Sequence, residues 1–172
     1  RPTATTPTNE LPTIFPDYTE VTIPYNIAPL NFRPTEGAER CFAEFSGNGV
    51  TITATGKDDV RIDEKEWRTL LDANRGATIS VKLYTKSQGK WQEWAPFNVH
   101  ISDKAIDSHL VYRLIEPGYE KWHIVGIYQR NLESFEEKPI ILNSMVGYNC
   151  IVLKRRLKKR KHQPLMRAIK EL

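Results

Sequence analysis

Residues 41–56 read CFAEFSGNGVTITATG, and their alternation decides the fold class. Cys41, Ala43 and Phe45 fall on one side of an extended chain, with Phe42, Glu44 and Ser46 on the other. Val50, Ile52 and Ala54 then share a face opposite three threonines. Period two over six or more residues is the mark of a half-buried strand. Between the two runs, GNG at 47–49 supplies the positive φ that a tight hairpin demands.

The same pattern extends outward in both directions. VTI at 21–23 is β-branched throughout and is stopped by Pro24. ATISVKLYTK at 77–86 points Ile79, Val81 and Leu83 one way and Ser80, Lys82 and Tyr84 the other. SQG at 87–89 turns the chain, and KWQEW and FNVHI return it, with Phe97, Val99 and Ile101 on a common face. Pro96 lies between those two runs and cannot donate to a ladder, so it marks an edge or a bulge. One helix is predicted over DEKEWRTLLDANRG, capped by Asp63 with Glu66 three positions on, and Trp67, Leu70 and Leu71 form its apolar stripe. Gly76 stands just past its end, where a left-handed residue is wanted. The fold expected is mainly β, an immunoglobulin- or fibronectin-like β-sandwich with one short helix.

Four segments follow from composition. Residues 1–16 hold four prolines and five threonines and read as an extended linker. Residues 17–105 are the sandwich. Residues 106–150 are its closing strands or the start of a following domain, with strands expected at Leu110–Ile115 and Ile124–Asn131 around a Pro-Gly turn in EPGYEKW. Residues 151–172 are a basic tail, disordered or helical.

Charge divides along the same line. The net charge is +4, yet residues 151–172 carry 9 Lys or Arg against 1 acid, and the preceding 150 carry 16 against 20. Global basicity is therefore a property of the tail. Electrostatic binding to nucleic acid or an anionic surface would reside there, salt-sensitive and without the interleaved aromatics of a single-strand reader.

Little in the sequence points to catalysis. His100, His109, His123 and His162 are the only histidines. Asp107, Ser108 and His109 are consecutive, so their side chains alternate in direction and cannot form a relay. No metalloprotease, nucleophile-elbow, P-loop or dinucleotide motif occurs, and a non-catalytic chain is expected. Cys41 and Cys150 have no C-x-x-C spacing, and Cys41 sits in an apolar run as a core thiol. No metal is expected.

The aromatic set offers a binding surface instead. Trp91, Trp94 and Trp122 are the candidate ligand or partner residues. Trp91 and Trp94 are three apart in an extended chain, so one belongs to the core and the other to the surface. An exposed indole would stack on a sugar ring or meet a partner, but an interface with a neighbouring domain of the same polypeptide is the preferred reading, because bulky aromatics dominate such buried contacts.

FPDYTEVTIPYNIAPLNF at 15–32 and YRLIEPGYEKWHIVGIYQRNLESFEEKPII at 112–141 resemble the N-terminal region of a family of Gram-negative envelope lipoproteins. There a β-sandwich precedes a TolB-like β-propeller, and the proteins are often labelled cytochrome c biosynthesis proteins. The resemblance spans about residues 14–150. It implies a periplasmic or outer-membrane-tethered accessory domain that presents a propeller or binds a partner, with membrane attachment only through an upstream lipid anchor. It also implies haem c at an N-C-x-x-C-H motif. Here Asn149 and Cys150 supply the first two residues, but Ile151, Val152, Leu153 and Lys154 follow. The motif is incomplete, and no cofactor is expected. A shifted reading frame near residue 151, or a truncated gene, would produce the abrupt change to basic text. The functional expectation is accessory or scaffolding work, with carbohydrate binding through an exposed Trp and nucleic-acid binding through the tail as alternatives.

Overall fold

The computed structural model describes residues 2–115 and 123–146. The basic tail, the Pro-Gly turn, Trp122 and Cys150 lie outside the described residues. The chain divides into two units: residues up to Ser108 together with Leu132–Phe135, and His109–Asn131 together with residues from Glu136 onward.

In chain order, unit 1 contains β1 (Thr5–Pro7), β2 (Ile14–Phe15), β3 (Val21–Pro24), β4 (Arg33–Pro34), β5 (Arg40–Gly47) and β6 (Val50–Gly56). Helix α1 (Glu64–Ala73) follows, then β7 (Thr78–Ser87), β8 (Lys90–Glu93) and β9 (Phe97–Ser102). The fold is mainly β and sandwich-like, with one helix. Both predicted hairpins form. Gly47 pairs with Val50 around Asn48 and Gly49, whose φ values are 41° and 78°. Ser87 pairs with Lys90 around Gln88 and Gly89, at 50° and 76°. Two central residues with positive φ make a turn whose twist suits the strands it joins.

The long strand β7 organises the sheet. One margin pairs with β5 along its length. The other serves two partners, β9 against the N-terminal half (Ile79 opposite Val99) and β8 against the C-terminal half (Tyr84 opposite Glu93). Pro96 falls where the chain passes from β8 to β9, at the point where a ladder donor is dispensable. The result is a forked seven-stranded sheet, β1-β8-β7-β5-β6 on one path, with β9 and then β3 on the other branch. The pairs β1–β8 and β3–β9 are parallel, a feature that alternation alone does not reveal.

One face of this sheet is the core. Ile79, Val81 and Leu83 are each 0% exposed, and Ala43, Phe45, Ile52, Phe97 and Val99 join them. Burying each large aliphatic or aromatic side chain contributes about 1.5–3 kcal/mol. Helix α1 covers the face with Trp67, Leu70 and Leu71, all fully buried. Trp67 meets Phe45 edge to face at 5.9 Å and donates its indole N–H to Ile27 O at 3.1 Å. Asp63 caps the helix by accepting from Lys65 N and Glu66 N, which satisfies two of the free amides of the first turn.

The Pro/Thr-rich opening corrects the linker expectation. It is extended, as proline requires, but it is paired: β1 lies along β8, Thr8 N donates to Glu93 O, and Ala95 N donates to Glu10 O. Ile14 is buried in the core, and β2 pairs with β4. Prolines fit there because these strands are short and marginal, where few ladder amides are needed. Asn26 closes the same unit by accepting from Ile106 N and donating to Ile106 O and Glu133 Oε1.

Unit 2 holds β10 (His109–Leu114), β11 (Gly126–Asn131) and β12 (Glu137–Leu142), an antiparallel sheet in that order, followed by a 3-10 turn at Asn143–Val146. Tyr112 and Tyr128 stack at 6.1 Å, and Tyr112 donates its hydroxyl to Glu137. β12 was not predicted from its sequence because Pro139 interrupts it. It is an edge strand, and the register shifts beside that proline, where a missing N–H does least harm.

Candidate functional site

The alternation that buries one face of unit 1 puts a second set of residues on the other. Cross-strand register aligns them in rows. Thr55, Phe42, Tyr84, Glu93 and Pro7 make one row, and Arg40, Lys86, Trp91 and Thr5 make the next. Phe42 and Tyr84 meet edge to face at 5.8 Å and are both buried despite lying on the polar side. Tyr84 donates its hydroxyl to Glu93 Oε1 at 3.3 Å, and Thr5 Oγ1 donates to Glu93 Oε2 at 3.0 Å. Glu93 thus ties the parallel β1 to the centre of the sheet.

Beside these rows is an open hollow of about 600 Å³, with Phe42 and Trp91 as apolar walls and Glu39, Arg40, Thr55 and Lys57 as polar ones. That volume lies in the range that holds a small ligand or a side chain or two of a partner. Gly56 also borders the hollow, and the main chain of Asp59 packs so closely on it that a Cβ would lie 1.6 Å from Asp59 O. Trp91 is half-buried.

Trp94 is placed differently. It is buried in the core, with its indole N–H donated to Thr85 Oγ1 at 2.9 Å, and it is thereby removed from the candidate surface. Period-two geometry separates the two tryptophans, Trp91 on the polar face beside the hollow and Trp94 on the core side. Phe42, Arg40 and Lys57 were not singled out from sequence. A signal was present for Phe42, an aromatic standing among Glu44 and Ser46 on the polar side of its strand.

Cys41 also borders the hollow, but its thiol is pushed up to about 11 by burial, with Asp58 and Asp59 adding to the effect. At neutral pH it is a protonated, unreactive thiol. Tyr18 is likewise raised by burial.

One group of side chains has the components of a relay. His100 Nδ1 lies 2.9 Å from Thr78 Oγ1, and its Nε2 lies 3.5 Å from Glu20 Oε2. The His100 and Glu20 side chains are 43% and 54% exposed. A relay on open strand surface lacks the water-excluded setting in which preorganised donors stabilise a developing charge. Among the described residues, no group of three or more His, Cys, Asp or Glu converges as a metal site, and no helix is long and apolar enough to cross a membrane.

No protein-family model, curated protein or solved structure matches the chain, so the role of this face rests on its own chemistry.

Proposed function

We propose that the chain is a non-catalytic accessory module of a bacterial envelope lipoprotein, which binds a partner protein or a following domain through the face around Trp91. The observation that carries the binding role is the hollow itself, an indole and a phenyl ring beside Arg40 and Lys57 on an otherwise polar sheet face. Aromatic and arginine side chains in a partly desolvated depression are the residues that dominate protein interfaces. The envelope address rests on the resemblance of residues 15–32 and 112–141. No haem role is proposed, because the motif positions after Cys150 that need a second thiol and a histidine hold Leu153 and Lys154.

A second reading is favoured by the same hollow. A flat indole beside Glu39, Arg40 and Thr55 offers a stacking surface with hydrogen-bonding groups at its rim, the combination a sugar ring requires. The two readings part in experiment. Panning a displayed peptide library on the intact chain should enrich sequences that lose at least about tenfold in affinity for Trp91→Ala. A glycan array that lights up and goes dark in the same variant would favour carbohydrate instead. Peptides that bind the variant as well as the parent would remove Trp91 from the interface and with it the proposal.

A further inference from the structure

The β6 margin of the forked sheet is unlike the other edges. β6 ends its path with β5 on one side only. In a two-residue hairpin the residues flanking the turn exchange hydrogen bonds, so Val50, Ile52, Ala54 and Gly56 bond to β5. The main-chain N–H and C=O groups of Thr51, Thr53 and Thr55 then point away from the sheet. No hydrogen bond engages them among the described residues. β2, in the two-stranded sheet, is only two residues long. The remaining strands at sheet margins carry a proline or a charge: Pro7 in β1, Pro24 in β3, Pro34 in β4, Pro139 and Lys138 in β12, Arg113 in β10. Such residues block edge-to-edge pairing. β6, VTITATG, has neither.

We infer that β6 is a self-association edge, on which a second copy of this chain pairs antiparallel through its own β6. Charge and register favour this occupant. A two-fold axis through Thr53 sets Thr53 opposite the second copy's Thr53, Thr51 opposite its Thr55, and Ile52 opposite its Ala54. All seven residues are then paired, the outward amides meet outward carbonyls, and the exposed threonines face one another. The polar face continues into the polar face, and the apolar face into the apolar. No like charges meet, because the strand has none, and Lys57 falls beside the second copy's turn at Gly49. The contact is isologous and closes on itself. A single strand pair buries less than the roughly 1,200 Å² of stable interfaces, so the dimer is weak, with a dissociation constant of about 1–100 µM.

Sedimentation velocity of the full chain, from about 1 to about 500 µM, tests this. The parent should pass from monomer to dimer. Thr53→Lys and Thr53→Glu should each weaken the dimer at least about tenfold, because each sets like charges together on the two-fold axis. An equimolar mixture of the two variants should restore it. A monomer throughout, or a dimer indifferent to both substitutions, overturns the inference. Hydrogen exchange of the parent reads the same edge without any variant. The amides of Thr51, Thr53 and Thr55 should slow as concentration rises, and concentration-independent fast exchange would sink the idea equally.

Discussion

β7 in unit 1 and β10 in unit 2 are both strands with apolar side chains, yet they use them differently. Ile79, Val81 and Leu83 of β7 are fully buried beneath the helix and the core, whereas Leu110 and Val111 of β10 are 50% and 57% exposed. Those two are sequence neighbours, so they lie on opposite faces, and neither face of β10 is sealed at that point. Apolar composition makes a strand, but burial needs a second layer. In unit 1 that layer is α1 with Leu30, Phe32, Val60 and Ile62. An exposed Leu or Val contributes little of the roughly 1.5–3 kcal/mol available from full burial.

The contrast breaks most visibly if the covering layer is removed. Trp67→Ala deletes the largest side chain of α1, its edge contact with Phe45 and its bond to Ile27 O. A cost of about 3–5 kcal/mol is expected, since a cavity of that size collapses only in part. Chemical denaturation of the full chain, with hydrogen exchange at β5 and β7 amides, measures it. A loss below about 1 kcal/mol would mean that the helix is not what seals the sheet.

Next in size is Val81→Thr, which keeps shape and β propensity but puts a hydroxyl into a fully buried site. About 2 kcal/mol should be lost, the cost of an unpaired hydroxyl away from water. Gly126→Ala probes unit 2 in a comparable way. A Cβ there would lie 2.2 Å from Ile141 O, a main-chain atom that cannot step aside alone. About 1–3 kcal/mol is expected, read as faster exchange of the β11 and β12 amides. Unchanged protection would show that the two strands part more easily than their register implies.

How much of this was legible beforehand differs between the same two regions. In unit 1 the alternation named the core-facing residues of β5, β6, β7 and β9, though not the burial of Phe42 and Tyr84 on the other face, and local signals named the Asn48-Gly49 turn and the Asp63 cap. The parallel pairings of β1 and β3 were not legible, since a parallel partner is distant in sequence and leaves no turn to find. The prolines of residues 1–16 read as a linker because proline sets the extended backbone but is silent on whether another strand lies alongside. In unit 2, β12 was hidden by Pro139. The candidate site was half legible. Trp91 was named, but its neighbours Arg40 and Lys57 enter the hollow only through cross-strand register, and Phe42 was visible only as an aromatic on the polar side of its strand. Trp94 was named with it because spacing separates the faces of a strand without saying which face is covered.

The smallest expected effect is the sharpest test of that last point. Val111→Thr is chemically the same change as Val81→Thr, made on a strand of similar character, and differs only in what lies over the side chain. With Val111 57% exposed, the new hydroxyl keeps its contact with water, and β-branching preserves the strand preference. Stability should shift by less than about 0.5 kcal/mol. The denaturation midpoint of the full chain should therefore fall for Val81→Thr and stay within error for Val111→Thr. A comparable fall at both positions would mean that Val111 is packed against something and that β10 is not an open strand.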